Sequence, residues 1–155
     1  MHLQNPINML QYASENSFAI PAFNVHNLET VQAVCEGAVA ENSPVIIQTT
    51  PGTVNYAGLH YVTAIVKKAA EINNIPIALH LDHCTTYEMV VQCVVSGYSS
   101  IMIDGAELPF EENVELVRKT VEMAHAAGVS AEGELGRLVG VEDDLEVSAE
   151  EAAFT

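Results

Sequence analysis

Basic residues are scarce in this sequence. It has five lysines and arginines against 21 aspartates and glutamates, which gives a formal net charge of −16 at pH 7. A charge of this sign and size opposes binding to nucleic acid and to anionic membrane surfaces, so we expect neither as a partner. An anionic substrate would need a metal ion and backbone amides to supply a positive field.

Other features are missing as well. The three cysteines show no Cys-x-x-Cys spacing, which is typical of reduced thiols in a cytoplasmic protein. No apolar run approaches the ~20 residues that a membrane span requires. The N-terminal stretch MHLQNPINMLQYASEN lacks the basic and apolar regions of a secretory signal. About half of the 155 residues are apolar, which is enough for one globular core.

Apolar runs typical of strands alternate with helical patterns along the chain. The predicted strands are 18–24, 44–50, 76–82, 99–104 and 129–135. The predicted helices are about 27–42, 57–73, 85–96 and 109–127, after a short amphipathic segment near 5–15. Thr85 and Glu88 match a capping box, Pro109 suits a first helical turn, and Gly128 suits the end of a helix. The alternation predicts parallel strands with right-handed crossovers.

Each predicted strand ends with a polar residue, and these residues fall on the same face when side chains alternate with period 2. They are Asn24, Thr50, Asp82, Asp104 and Glu134. An open sheet has no reason to gather polar groups from five successive strands. In a (β/α)8 TIM barrel, by contrast, the C-terminal rim is where active sites lie. We therefore predict an α/β fold of the barrel type.

The length of the chain is short for such a barrel. A (β/α)8 barrel has eight strands and typically ~250 residues, whereas this sequence predicts five strands and four interior helices. Ser148 and Glu151 match a capping box for a further helix shortly before Thr155. We expect residues 1–155 to be the N-terminal portion of a single barrel domain, with the C-terminal strands absent.

The stretch IPIALHLDHC crowds three chemically active residues at a strand end. His80 and Asp82 share the inner face, and His83 reaches the rim only if the strand ends near Asp82 and the chain turns. One interpretation makes His83 a metal ligand and Asp82 a proton-transfer group beside it. The alternative is that both histidines are structural and that Asp82 caps the next helix. The convergence of further acids on the rim favours the first interpretation.

The other rim acids have several possible roles. Asp104 and Glu134 are candidates for metal ligands, for groups that orient the ligands, or for solvated carboxylates. Converging carboxylates repel one another unless a cation lies between them, so a metal is the simplest explanation. Asn24 and Thr50 suit hydrogen bonds to a polyol, or equally to neighbouring backbone.

The segment GRLVGVEDDLEV, residues 136–147, has no periodicity. It is either a solvated surface loop or a mobile loop that carries a catalytic acid or base over the rim. Glu142, Asp143 and Asp144 compete for that role, and their spacing does not choose between them. All three lysines fall inside helical patterns, so Schiff-base chemistry from a strand end is excluded for this part of the chain.

Four motifs together resemble one family. PAFNVHNLETVQA, ALHLDHC, SIMIDGAELPFEENVELV and EGELGRLVGVEDD are similar to the class II, zinc-dependent ketose-bisphosphate aldolases. The resemblance covers nearly the whole chain and is strongest to the tagatose-1,6-bisphosphate branch, with the fructose-1,6-bisphosphate branch next. It implies a TIM barrel that reversibly cleaves a ketose 1,6-bisphosphate to dihydroxyacetone phosphate and glyceraldehyde 3-phosphate. It also implies a cytoplasmic enzyme of carbohydrate metabolism that forms a dimer or tetramer at full length.

The resemblance assigns roles to the rim residues. It implies that Asp82 is the acid/base at the C4 hydroxyl and that His83 is a ligand of the catalytic Zn²⁺. Asp104 and Glu134 match carboxylates of a further cation site. The zinc would polarise the ketone as a Lewis acid.

The resemblance also assigns residues that handle the substrate. Glu142 matches the base that moves the C3 proton, and Asn24 and Thr50 match positions that contact the phosphorylated sugar. The phosphate-binding loops and two further zinc histidines of the family have no counterpart in this sequence, so we expect the isolated chain to bind zinc weakly and to be inactive.

Two other functions compete with this one. The chain could be a non-catalytic half-barrel that needs a partner or self-association. It could also be a different metal-dependent barrel enzyme, such as a hydrolase. Hydrolases of that kind usually present paired histidines at His-x-His spacing, which His80 and His83 do not match.

Overall fold

The computed structural model describes residues 2–136 in full and the backbone of residues 140–142 and 145–147. Its helices are α1 (Pro6–Glu15), α2 (Leu28–Ala40), α3 (Pro51–Ala57), α4 (Leu59–Ile72), α5 (Tyr87–Ser96) and α6 (Phe110–Ala126). Its strands are β1 (Ala22–Asn24), β2 (Val45–Thr49), β3 (Ile77–Cys84), β4 (Ser100–Ile103), β5 (Ser130–Gly133), β6 (Gly140–Glu142) and β7 (Leu145–Val147).

The first five strands form one parallel sheet in sequential order, β1-β2-β3-β4-β5. The five predicted strands and the four predicted interior helices are thereby confirmed, each within a few residues of its expected bounds. The register also confirms the predicted inner face. One row across the sheet consists of Asn24, Gln48, His80, Ser100 and Ser130.

The opposite face of the sheet forms the core against the helices. Leu79, Leu81, Ile101 and Ile103 are completely buried, and they alternate with the polar row because neighbouring side chains of a strand point to opposite faces. Helices on this side supply further apolar residues, and they leave the other face of the sheet for polar side chains. The polar face thus corresponds to the inside of a barrel wall and the apolar face, which packs against the helices, to its outside.

Three local expectations need correction. Helix α3 was not predicted, because its seven residues are too few to show an apolar stripe. The Thr85–Glu88 capping box is wrong: α5 begins at Tyr87 and its N-cap is Thr86, without a side-chain cap bond. The reason is that β3 continues to Cys84, whose carbonyl accepts a hydrogen bond from Asp104 N.

The ends of α6 lie close to the prediction. Pro109 is the N-cap rather than a residue of the first turn. Gly128 follows the C-cap Ala127 with a φ of 73°, a left-handed conformation that glycine adopts without steric cost.

The segment 136–147, expected to be a surface loop or a mobile catalytic loop, contains two short strands. Strands β6 and β7 pair in an antiparallel ribbon, with Glu142 opposite Leu145. Short strands of three residues do not repeat often enough for their alternation to be visible in the sequence. In the described part of the chain, no helix is both long enough and apolar enough to span a bilayer.

Candidate metal centre

The end of β3 brings Asp82 and His83 to the rim of the sheet. Strand β3 runs on to Cys84, two residues beyond its predicted end at Asp82. The pairing with β4 shifts register between Leu81 and Cys84, and His83 has a φ of 46°. This left-handed conformation is costly for a residue with a Cβ. It turns His83 out of the strict alternation and towards the neighbouring strand ends.

His83 meets two carboxylates at this rim. Its Nδ1 lies 3.0 Å from Oδ2 of Asp104, which follows β4, and 3.4 Å from Oε2 of Glu134, which follows β5. Each residue offers one ligand atom, and the three atoms lie within 4.8 Å of one another. All three residues are partly buried. Three adjacent parallel strands therefore deliver one donor each to the same point.

This donor set fits a divalent cation. An imidazole nitrogen and carboxylate oxygens are common zinc ligands. A cation between two carboxylates held this close reduces the repulsion between their charges. One hydrogen bond supports each acid: Ala106 N donates to the Asp104 carboxylate Oδ1 at 3.0 Å, and the side-chain Nδ2 of Asn113 donates to the backbone carbonyl of Glu134 at 2.7 Å. The three residues could hold a zinc ion and leave coordination positions for other ligands.

Asp82 lies next to this cluster and belongs to a separate group of polar side chains on the inner face of the sheet. Gln48 Nε2 donates to Asp82 Oδ2 at 2.6 Å. His80 Nε2 is 3.8 Å from Asp82 Oδ1 and 3.6 Å from Glu132 Oε2, and His80 Nδ1 is 2.8 Å from Ser100 Oγ. Asp82 is therefore oriented by a neutral amide on one oxygen.

Burial controls the charge of His80. Its side chain is only 6% exposed, and this desolvation, with a smaller contribution from the charge of His83, lowers the pKa of His80 to about 4. The carboxylates of Asp82 and Glu132 lie beyond hydrogen-bond distance and do not reverse the effect. Desolvation and the nearby Asp82 charge also raise the pKa of Glu132. His80 is thus a neutral, structural neighbour of Asp82 at pH 7.

The remaining predicted site residues are less closely tied to the centre. Asn24 is exposed at the end of β1, in register with Gln48. Thr50 is 5% exposed and caps α3, accepting a hydrogen bond from Thr53 N at 3.4 Å. Glu142 belongs to β6, and its side chain lies outside the described residues, as do Asp143 and Asp144.

Two residues that contact the centre or the neighbouring Asp82 were not predicted as site residues. Gln48 shares the inner face with Asp82, so the period-2 alternation would have identified it. Asn113 is a polar residue inside the amphipathic pattern of α6, and it is buried. A buried amide in an otherwise apolar stripe is the signal that would have identified Asn113.

Comparison with known proteins places this arrangement in a family context. The family model described as fructose-bisphosphate aldolase class-II matches residues 4–155. The D-tagatose-1,6-bisphosphate aldolase subunit GatY of Klebsiella oxytoca is 50% identical over 148 residues, which are 96% of this chain and 52% of that relative. The chain thus spans about half the length of the curated relative that it matches.

Solved structures show the same partial coverage. A Coccidioides immitis protein assigned to the fructose-1,6-bisphosphate aldolases superposes with a TM-score of 0.87 at 34% identity, over 97% of this chain and 53% of that one. The YdjI aldolase of Escherichia coli K12 gives 0.83 at 29% identity, over 88% and 52%. These matches confirm the predicted barrel fold class.

Proposed function

This chain belongs to the class II fructose-bisphosphate aldolase family, and from that premise we propose that the protein catalyses metal-dependent, reversible cleavage of a ketose 1,6-bisphosphate. The products would be dihydroxyacetone phosphate and glyceraldehyde 3-phosphate. The observation that supports this most strongly is the convergence of His83, Asp104 and Glu134 beside Asp82. It provides a cation site and a separate proton-transfer group on one rim.

The three converging residues would hold the metal. His83, Asp104 and Glu134 supply one nitrogen and two carboxylate donors, and zinc accepts both types. When bound, the ion would act as a Lewis acid for the substrate carbonyl and for the negative charge that develops on carbon–carbon cleavage. It would also offset part of the acidic charge of the protein, which otherwise opposes a bisphosphate substrate.

Asp82 would move the proton of the C4 hydroxyl. In the cleavage direction its carboxylate accepts this proton while the C3–C4 bond breaks and the aldehyde forms, and in the reverse direction it returns the proton. Gln48 donates to Asp82 Oδ2, so the carboxylate keeps one orientation. Neutral His80 adds no competing cation next to Asp82.

Other residues would complete substrate handling. We assign to Glu142 the exchange of the C3 proton of dihydroxyacetone phosphate, and to Asn24 and Thr50 contacts with the sugar phosphate. The register between Asn24 and Gln48 supports the first of these contacts. Thr50 is buried, so we assign its contact to the backbone at the start of α3 rather than to its hydroxyl.

We favour the tagatose bisphosphate over the fructose bisphosphate as substrate, because the relative at 50% identity carries the tagatose name. A cytoplasmic location and a dimer or tetramer at full length belong to the same proposal. The relatives are about twice as long as this chain, and the donor set contains a single histidine. We therefore propose that residues 1–155 alone bind zinc weakly and lack turnover.

A chimaera tests the function directly. The C-terminal half of the Klebsiella oxytoca relative would be joined after Thr155, so that residues missing here are supplied by that protein. Cleavage of both bisphosphates is followed by reduction of the dihydroxyacetone phosphate formed, with zinc and after chelation. We expect zinc-dependent turnover in the chimaera, its loss in Asp82→Asn, and its retention in Glu88→Gln, an exposed acid of α5. A chimaera that folds and binds zinc without cleaving either sugar would contradict the proposal.

A further inference from the structure

Asn113 links α6 to the metal centre. It is 5% exposed, and its Nδ2 donates a hydrogen bond of 2.7 Å to the carbonyl oxygen of Glu134. Glu134 comes directly after β5, which ends at Gly133, so its backbone has left the sheet. The side-chain amide of Asn113 thus supports the backbone of a metal-binding carboxylate where the sheet no longer does.

The same amide also packs against the loop that carries Asp104. A Cβ built on Gly105 would lie 2.8 Å from Asn113 Cγ and would overlap with Oδ1. Gly105 follows Asp104 directly, so the absent side chain is what lets Asn113 approach this loop. One buried amide therefore contacts the backbone beside two of the three donors, Asp104 and Glu134.

This arrangement is not optimal for stability. Asn113 Oδ1 is buried without a hydrogen-bond partner among the described residues, and a buried unpaired acceptor is destabilising. A leucine of similar size would avoid that penalty in the stripe of α6. The presence of asparagine rather than leucine at position 113 therefore indicates that the hydrogen bond from Nδ2 to the Glu134 carbonyl serves a purpose other than stability.

We propose that Asn113 is a positioning residue of the metal centre. It holds the Glu134 backbone against the Asp104–Gly105 loop, so that both carboxylates stay within reach of the His83 imidazole. This inference rests on the proposed function, because it assumes that the three residues bind a divalent ion. It adds a residue on a helix, outside the three strand ends, to the requirements for that binding.

Zinc titration of the chimaera described above tests this role. Binding is followed through the NMR signals of the His83 imidazole, which report the site itself rather than activity. Replacing a group that orients metal ligands typically weakens metal affinity ~10–100-fold, and we expect Asn113→Leu to weaken zinc binding about tenfold. The matched control is Thr120→Val on the same helix, because Thr120 is also buried and its oxygen has no partner among the residues that the structure describes. This control should leave the affinity within about twofold of wild type.

A second variant covers the case in which Asn113→Leu does not fold. Gly105→Ala inserts a methyl group against Asn113 and should produce the same loss of affinity. In an Asn113→Ala background the space beside Gly105 is open, so Gly105→Ala should cause no further loss of zinc affinity. A double-mutant cycle detects this coupling between the two positions. The positioning role of Asn113 would be overturned by equal zinc affinities in Asn113→Leu and Thr120→Val, and also by additive effects in the double-mutant cycle. Neither result would contradict the proposed metal centre. A wild-type chimaera without a saturable His83 response would overturn the metal centre and the proposed function together.

Discussion

His83 Nδ1 lies 3.0 Å from Asp104 Oδ2, across the boundary between β3 and β4. The two residues meet because β3 carries an irregularity at this point, where His83 has a φ of 46°. A regular strand would alternate Asp82 and His83 between opposite faces. The strained backbone thus allows two consecutive side chains to serve one rim, as is common where a protein places strain at a functional site.

The strain at His83 should be measurable. His83→Gly and His83→Ala both remove the imidazole, but only glycine adopts a positive φ without steric cost. We expect His83→Gly to be more stable than His83→Ala by about 1 kcal/mol. Urea denaturation of the two variants measures this difference, and zinc binding at this site should be lost in both. Equal stabilities would mean that position 83 is not left-handed in solution.

Acid should destabilise the fold through His80. Its pKa is about 4 in the folded protein and ~6.5 in an unfolded chain. The unfolded state therefore binds the proton more readily, and the stability associated with the neutral imidazole, complete above pH 6.5, is lost as the pH falls towards 4. The loss from this residue at pH 4.5 is about 2 kcal/mol.

The control for this prediction is His80→Gln, compared with wild type by urea denaturation at pH 7 and pH 4.5. Carboxylates elsewhere titrate over the same range in both proteins, so only the difference between the two pH dependences belongs to His80. We expect the variant to lose less stability on acidification. An identical loss would show that His80 is not buried as a neutral group.

Hydrophobic periodicity was sufficient to predict the sheet. The five strands and their inner face follow from alternation, which is clearest where β2, β3 and β4 bury one face against helices. Asp82, Asp104 and Glu134 were found on this basis. Helix α3 was missed, although Thr50 followed by Pro51 is an N-cap and first-turn signal that the polar role assigned to Thr50 obscured.

Contacts between distant segments were not predictable in the same way. The position of His83 depends on a register shift that arises only when β3 pairs with β4, and the residue pattern of β3 contains no sign of it. The hydrogen bond from Asn113 to Glu134 joins residues 21 positions apart. It forms only when α6 packs on β5. The resemblance to a family supplied roles for His83 and Glu134, whereas alternation placed only Glu134 on the shared face.

Thr120 provides a test of packing inside α6. Its hydroxyl is completely buried and has no partner in the described part of the chain. Thr120→Val keeps the shape and removes the unpaired group, so we expect the free energy of unfolding to rise by about 1 kcal/mol. Thr63→Val is the matched control, because Thr63 Oγ1 donates to Leu59 O at 2.7 Å and its replacement should lower stability. Destabilisation by both changes would indicate that Thr120 has a partner in solution.

Gln48 should matter for the rate of cleavage rather than for metal binding. It donates to Asp82 Oδ2 at 2.6 Å, and its partners in the sheet are Asn24 and His80 rather than residues of the metal centre. Gln48→Met retains the length of the side chain but removes the donor, so the Asp82 carboxylate would lose its fixed orientation. Misplacement of a reacting group by about 1 Å can cost ~100-fold in rate, and we expect at least a tenfold loss of kcat in the chimaera, with unchanged zinc affinity. Gln92→Met, at an exposed position of α5, is the control. A Gln48→Met chimaera that cleaves as fast as this control would contradict the role of Gln48 in orienting Asp82.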